Sequence, residues 1–235
     1  MSASTSRTWK TRLFTATSLN DYLARGDHSI TWLTSPSPNP SHAAPSPPER
    51  KTTPTFEQHM STVDFIVMGR QTFDVCLSLP DWPYPKDKEL LVLSRRMDCL
   101  PVDLMGAKRL GGSGNGNGNG KVRIVRSIDE VKRVLDAEVN RGRMVYVDGG
   151  QTAREFLRRG WVDEVVLTVA PVVLAGGGRG LFGGLGPELE AEGRRDLEYT
   201  LVGVDVIENG MVTVYYRAKD DGKGEKGEMG ETEDE

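Results

Sequence analysis

Cysteine is scarce in this chain of 235 residues, with Cys76 and Cys99 as the only two. Two isolated thiols argue against a disulfide framework and suit a reducing compartment. Histidine is nearly as rare, and His28, His42 and His59 share no zinc-ligand spacing with the cysteines, so no metal centre is expected. The pairing of H-x-E with P-C-x-x-C, which holds zinc in nucleobase deaminases, is missing as well. No apolar run approaches the roughly 20 residues of a membrane span, and no secretory apolar core is present, so no membrane partner is expected. Basic stripes with interleaved aromatics are also missing, which argues against nucleic acid as a partner. Without a G-x-S-x-G elbow or a Walker sequence, serine hydrolase and P-loop readings lose their support. Met1 to Asn20 carries Arg7, Lys10 and Arg12 without an acid, a composition shared with transit peptides. Cleavage beyond Leu13 to Thr17 would remove a first strand, so the expected location is cytoplasmic.

What is present is uneven. Seven prolines fall between Pro36 and Pro54, six glycines between Gly111 and Gly120, and eight acids between Asp220 and Glu235. These stretches lack the apolar content to pack. The expected organisation is a flexible start over 1–10, one domain over 11–218 with insertions at 34–55 and 111–120, and an acidic tail over 219–235. Strands on both sides of each insertion are needed for one sheet, and loop closure cost rises slowly with length, so insertions fit better than linkers.

Short runs of Val, Ile and Leu mark eight strands, near Arg12 to Thr17, Asp64 to Met68, Glu89 to Leu93, Val122 to Val125, Met144 to Val147, Glu164 to Val169, Tyr199 to Asp205 and Met211 to Arg217. Helices are expected at Phe56 to Ser61, Gln71 to Leu77, Ile128 to Arg141 and Gln151 to Arg159, the third opened by a capping box of Ser127 and Glu130. The early strands are uniformly apolar and followed by helices, as parallel strands buried on both faces are. The last two are joined through Glu208-Asn209-Gly210, a hairpin signal. The fold class is therefore α/β, a three-layer α/β/α domain with a mixed, mostly parallel sheet ending in an antiparallel hairpin.

Three strand ends carry groups suited to phosphate. Gly149-Gly150 follows one strand and opens the helix starting near Gln151 and Thr152; glycine lets a ligand approach the backbone, and free N–H groups with the helix dipole favour an anion. Met68-Gly69-Arg70-Gln71-Thr72 repeats the strand-glycine-helix pattern, and Leu93-Ser94-Arg95-Arg96 ends a third strand with a hydroxyl and a guanidinium fork. Carboxyl ends of parallel strands face one crevice, and a dinucleotide with an extra phosphate would use all three. The literal G-x-G-x-x-G at Gly178, Gly180 and Gly183 does not qualify, because Gly184, Gly186 and Pro187 follow where a helix should open. Gly176 to Gly186 reads as a mobile loop. Asn20 and Asp21, where the first strand ends, are candidate catalytic or substrate-orienting groups, with Asp21 equally readable as a turn or cap residue. Glu57 is a carboxylate on a short helix that reads better as a solvated charge.

Ser18-Leu19-Asn20-Asp21-Tyr22-Leu23-Ala24, Trp32-Leu33, Val67 to Thr72, Leu93-Ser94-Arg95, Val147-Asp148-Gly149-Gly150 and Leu167 to Pro171 together resemble the dihydrofolate reductase-like superfamily. The nearer likeness is to the reductase domain of the riboflavin-pathway deaminase-reductase, over most of Arg12 to Arg217. The resemblance implies an NADPH-dependent reductase, commonly a homodimer. It would place Gly69, Arg70 and Thr72 beside the cofactor phosphates, Ser94 and Arg95 at the 2'-phosphate, and Gly149 and Gly150 at the pyrophosphate, a glycine pair that can carry a cis peptide in that family. Thr15, Ala16 and Asn20 would lie near the nicotinamide and substrate. Hydride would pass to the sugar carbon of a ribosylaminopyrimidine phosphate, opening it to the ribityl product. Where relatives read Ser-Leu-Asp-Gly, this chain reads Ser18-Leu19-Asn20-Asp21, and an amide cannot supply a proton at neutral pH. An acid role shifted to Asp21, a pterin substrate, and a non-catalytic binding descendant all stay open at this point.

Overall fold

The apolar runs form strands wherever they were expected. In the computed structural model, which describes residues 7–34, 52–100, 122–207 and 210–219, the strands are β1 (Lys10–Ser18), β2 (Tyr22–Arg25), β3 (Phe65–Gly69), β4 (Glu89–Leu93), β5 (Val122–Val125), β6 (Met144–Asp148), β7 (Glu164–Ala170), β8 (Gly178–Gly180), β9 (Tyr199–Val206) and β10 (Val212–Ala218). The helices are α1 (Thr31–Thr34), α2 (Phe56–Thr62), α3 (Arg70–Ser78), α4 (Ile128–Leu135), α5 (Gly150–Arg158) and α6 (Leu185–Ala191), with a 3-10 turn at Glu138–Asn140. Eight strands form one sheet in the order β5-β4-β3-β6-β1-β7-β10-β9, and β2 pairs with β8 in a separate ribbon. The first six strands of that order run parallel, while β10 is antiparallel to both β7 and β9. This is the three-layer α/β/α, dihydrofolate reductase-like architecture expected from the sequence. The insertion at 111–120 and the tail from residue 220 lie outside the described residues.

Alternation along the strands sends side chains to two cores. Leu13, Val67, Val147 and Val165 pack with Phe156 and Leu157 of α5 and Val131 and Leu135 of α4. Ile66, Met68, Val92 and Tyr146 pack on the other face with Met60 of α2 and Phe73 of α3. Each such fully buried large side chain contributes about 1.5–3 kcal/mol. Ser127 caps α4 by accepting from Glu130 N at 3.2 Å, as its sequence position implied, but the Glu130 carboxylate takes Arg126 N and does not close the box. A complete capping box instead opens α2, between Thr55 and Gln58.

Three expectations change. Of the stretch 1–10 read as flexible, Arg7 is bound bidentately by Asp163 and Trp9 is buried, donating to Asp136 at 2.8 Å, because an indole edge-packed on Phe156 and Trp161 is too apolar to leave in water. The insertion read as 34–55 is anchored before its far boundary: Thr52 and Thr53 donate backbone and hydroxyl hydrogens to the Asp205 carboxylate on β9. Gly176 to Gly186, read as a mobile loop, contains β8 and leads into α6. Pro187 is the third residue of that helix, in the first turn, where its missing N–H leaves no intrahelical bond unmade.

Candidate active site

β3 and β6 are parallel neighbours, and each passes through glycine directly into a helix. Gly69 caps α3 and Gly149 caps α5, and neither helix receives a side-chain cap. The N–H groups of both first turns are therefore open to an anion. The helices lie on opposite faces of the sheet, so only their starts meet. That meeting is reciprocal. A Cβ on Gly149 would stand 2.1 Å from Thr72 Oγ1, and one on Gly69 would stand 3.2 Å from Thr152 Oγ1. Each helix thus presents its third residue to the other's glycine. Gly149 also has φ +85°, a conformation side chains rarely adopt. Its peptide bond to Gly150 is trans, as are all described peptide bonds, so the cis form allowed by the resemblance is not used.

The other strand ends extend this edge. β4 flanks β3, and β1 flanks β6 only over Lys10 to Leu13; beyond that β1 continues along β7, opening a crevice beside Phe14 to Ser18. Four adjacent strand ends, β4-β3-β6-β1, span roughly 14 Å. Ser94 is buried and its Oγ accepts from Met97 N at 3.1 Å, which leaves the hydroxyl hydrogen for another acceptor. Arg126 braces the same turn through Met97 O at 2.6 Å, and Arg95 is exposed with no ion pair among the described residues. Thr15 and Ala16 sit half-buried on β1 at the crevice, and Gln151 is exposed on the first turn of α5. Arg70 lies away from this line, its Nε shared by both Asp74 oxygens at 2.6 and 2.7 Å.

Asn20 and Asp21 are committed elsewhere. Asn20 donates to Leu174 O at 3.0 Å, accepts from Leu174 N at 3.1 Å and accepts from Ser18 Oγ at 2.8 Å. Asp21, with φ +68°, accepts from Phe182 N at 2.9 Å and Gly183 N at 3.0 Å through one carboxylate oxygen. Both side chains hold the glycine-rich segment that sequence reading took for a mobile loop, which is why it is ordered. Glu57 lines a shallow groove of about 430 Å³ between α2 and Pro83, Pro85 and Lys88, on the outer side of α2.

The acid that does face the crevice is Asp148, at the end of β6. Tyr84 donates a short hydrogen bond to Asp148 Oδ2, and Gly149 N donates to Oδ1 at 2.7 Å. Burial raises the Asp148 pKa above the usual carboxylate range, against the pull of the Tyr84 and Gly149 bonds. Burial and the nearby Asp148 carboxylate likewise push Cys76 up to about 11 and Tyr84 and Tyr146 well above 10. Beyond them lies His59, stacked on Phe14 at 4.9 Å and edge-on to Tyr146 at 4.8 Å. Burial, aided by Arg12, lowers His59 to about 3, so it is neutral. Arg12 Nη1 lies 3.3 Å from its Nδ1, which makes Nδ1 the acceptor and leaves Nε2 with the proton. Asp148 was visible in sequence as the residue before the glycine pair; Tyr84 and His59, on separate segments, carried no such signal.

Fold and strand-end geometry together define an α/β protein of the dihydrofolate reductase-like fold. Residues 10–213 match the RibD C-terminal domain, and the chain belongs to that family. It is 26% identical over 172 residues to YwjB, an uncharacterized protein of Bacillus subtilis (strain 168), covering 72% of this chain and 80% of YwjB. It is also similar to the solved "Putative riboflavin biosynthesis protein" of Shewanella sp. PV-4, with 30% identity, 89% of this chain and 99% of that one covered, and a TM-score of 0.64. A pyrimidine reductase-like protein of Corynebacterium diphtheriae shares the fold at 18% identity and a TM-score of 0.56, over 90% of this chain and 92% of its own. No helix among the described residues is long and apolar enough to cross a membrane.

Proposed function

We propose that the protein is an NADPH-dependent reductase of a small heterocyclic substrate, of the riboflavin-pathway pyrimidine type. The observation that carries this reading is the pair of uncapped helix starts, packed glycine to threonine, beside a buried acid in a chain of the RibD C-terminal family. The N–H groups at Arg70 to Thr72 and Gly150 to Thr152 would hold the pyrophosphate, and the space where a Gly149 side chain would stand is already taken by the Thr72 hydroxyl. Ser94, with its spare hydrogen, and Arg95 would take the 2'-phosphate. Thr15 and Ala16 would border the nicotinamide, which supplies the hydride. Asp148, whose pKa burial raises, would give the proton needed by the ring oxygen released when the sugar opens.

Titration of the full chain with NADPH and NADH, read by nicotinamide fluorescence, tests the cofactor assignment. NADPH should bind more tightly, and Arg95→Ala should weaken NADPH about tenfold, the loss of a charged hydrogen bond, while leaving NADH unchanged. Binding of neither nucleotide would overturn the reading. Consumption of NADPH with the ribosylaminopyrimidine phosphate as substrate then tests the reaction.

The chain should also form a homodimer. Leu201, Val202, Val204 and Ile207 on and beside β9 are exposed at 40–55%, an apolar patch at the end of the sheet that no helix among the described residues covers. Sedimentation should show a dimer that Leu201→Asp with Val204→Asp converts to monomer.

A further inference from the structure

The β2–β8 ribbon lies over the helix starts. Leu23 Cδ1 stands 2.5 Å from where a Cβ on Gly150 would be, and His28, just past β2, brings its Nε2 within 3.4 Å of the Gln71 amide in the first turn of α3. A two-stranded ribbon of four and three residues with glycine at both ends of one strand does not hold itself in place. Its anchorage comes from the turn before it. Asn20 pairs both ends of its amide with the backbone of Leu174, and the Asp21 carboxylate receives the N–H groups of Phe182 and Gly183 just past β8. Ser18 Oγ, which donates to Asn20, also receives Tyr22 N at 3.0 Å, tying the turn to the start of β2. Leu181, fully buried, fixes the far side of the ribbon to the core.

We propose that Asn20 and Asp21 are positioning residues that latch the β2–β8 ribbon over the paired helix starts, so that unlatching sets how fast a bound nicotinamide cofactor leaves. The inference rests on the cofactor reading above. It also gives the Asn20-Asp21 pair a chemical reason. An Asp at position 20 could not donate to Leu174 O and would set a carboxylate against that carbonyl. A glycine at position 21 would keep the positive φ but offer no acceptor to Phe182 and Gly183.

The test measures NADPH release from the full-length protein by stopped-flow chase. Asp21→Gly keeps the positive φ and removes the carboxylate that accepts two N–H groups; it should speed release at least tenfold, while Asn20→Asp, which loses one neutral amide hydrogen bond, should speed it about fivefold. Asp21→Asn, whose amide oxygen still accepts both N–H groups, should restore release to near the wild-type rate. A general loss of fold would show as a lowered melting temperature in all three variants. Folded Asp21→Gly and Asn20→Asp proteins that release NADPH at the wild-type rate would overturn the latch. If the wild-type chain binds no NADPH, the cofactor reading fails, and hydrogen exchange decides the latch alone: Asp21→Gly must still speed exchange at Phe182 and Gly183 N–H, and unchanged exchange overturns it.

Discussion

Two walls meet at the end of β6, and they are built by opposite means. On one side Gly149 and Gly150 expose backbone, and the side chains against them, Thr72 and Leu23, are placed by the absence of a Cβ. On the other, Asp148, Tyr84, Tyr146, His59 and Phe14 fill the space with side chains: Tyr84 donates to Asp148, and the rings pack on one another. The first wall offers the N–H groups of a helix turn that receives no side-chain cap. The second offers a carboxyl whose pKa burial raises and an imidazole that burial keeps neutral. A site for an anionic cofactor needs the first, and a site for proton transfer needs the second.

Adding one methyl to the first wall gives the largest expected effect. Gly149→Ala places a Cβ inside the Thr72 hydroxyl at a positive φ, and should cost about 3 kcal/mol of stability from strain and overpacking together, measured by urea unfolding. Loss of NADPH binding should accompany it even where the protein stays folded. The second wall is broken by Asp148→Asn, which keeps the shape and removes the proton: turnover should fall on the order of 100-fold while NADPH affinity holds. Tyr84→Phe sharpens the same point. The Tyr84 bond favours the ionised carboxylate, so removing it raises the Asp148 pKa further. Activity that needs the protonated acid falls as pH rises through that pKa, so the alkaline limb of the rate profile should move to higher pH.

His59 gives a smaller, purely structural readout. Its folded pKa of about 3 lies below the 6.5 of an ordinary histidine, so the unfolded chain takes up a proton first as pH falls. Stability from this residue is complete above 6.5 and is lost on acidification toward 3, at about 1.4 kcal/mol per pH unit. His59→Phe should flatten that part of the pH dependence of unfolding. Least affected should be Arg70→Ala, which removes an exposed pair with Asp74 worth about 0.3–0.5 kcal/mol and, if Arg70 stays on Asp74, leaves NADPH affinity unchanged.

The same two walls divide what could be read from the sequence. Glycine beside a strand end has few uses, so the Gly149 wall, the strands around it and the Ser127 cap were legible from local pattern alone. The Asp148 wall was not, because Tyr84, on the segment between α3 and β4, and Asp148, at the end of β6, are 64 residues apart and no local pattern links them. Asn20 and Asp21 were singled out as catalytic or orienting groups, with a turn role for Asp21 left open. Position marked them as site residues, but their partners, the backbone groups of Leu174, Phe182 and Gly183, have no side-chain signature. Pro187 misled in the other direction, since a proline that ends most helices is harmless in a first turn.

Asp205 and the two threonines beside it bear on how copies of this chain can meet. β9 is the last strand of the sheet, and its outer rim would offer unpaired N–H and C=O groups to any passing strand. Thr52 occupies that rim, its hydroxyl donating to Val204 O and accepting from Val204 N, while the Asp205 carboxylate ties the segment down. Strand-by-strand growth into a continuous intermolecular sheet is thereby blocked at this end. What stays available is the apolar patch of Leu201, Val202, Val204 and Ile207. In the homodimer proposed above that patch would be used up by its own copy, and assembly through it would close at two without propagating into a fibre.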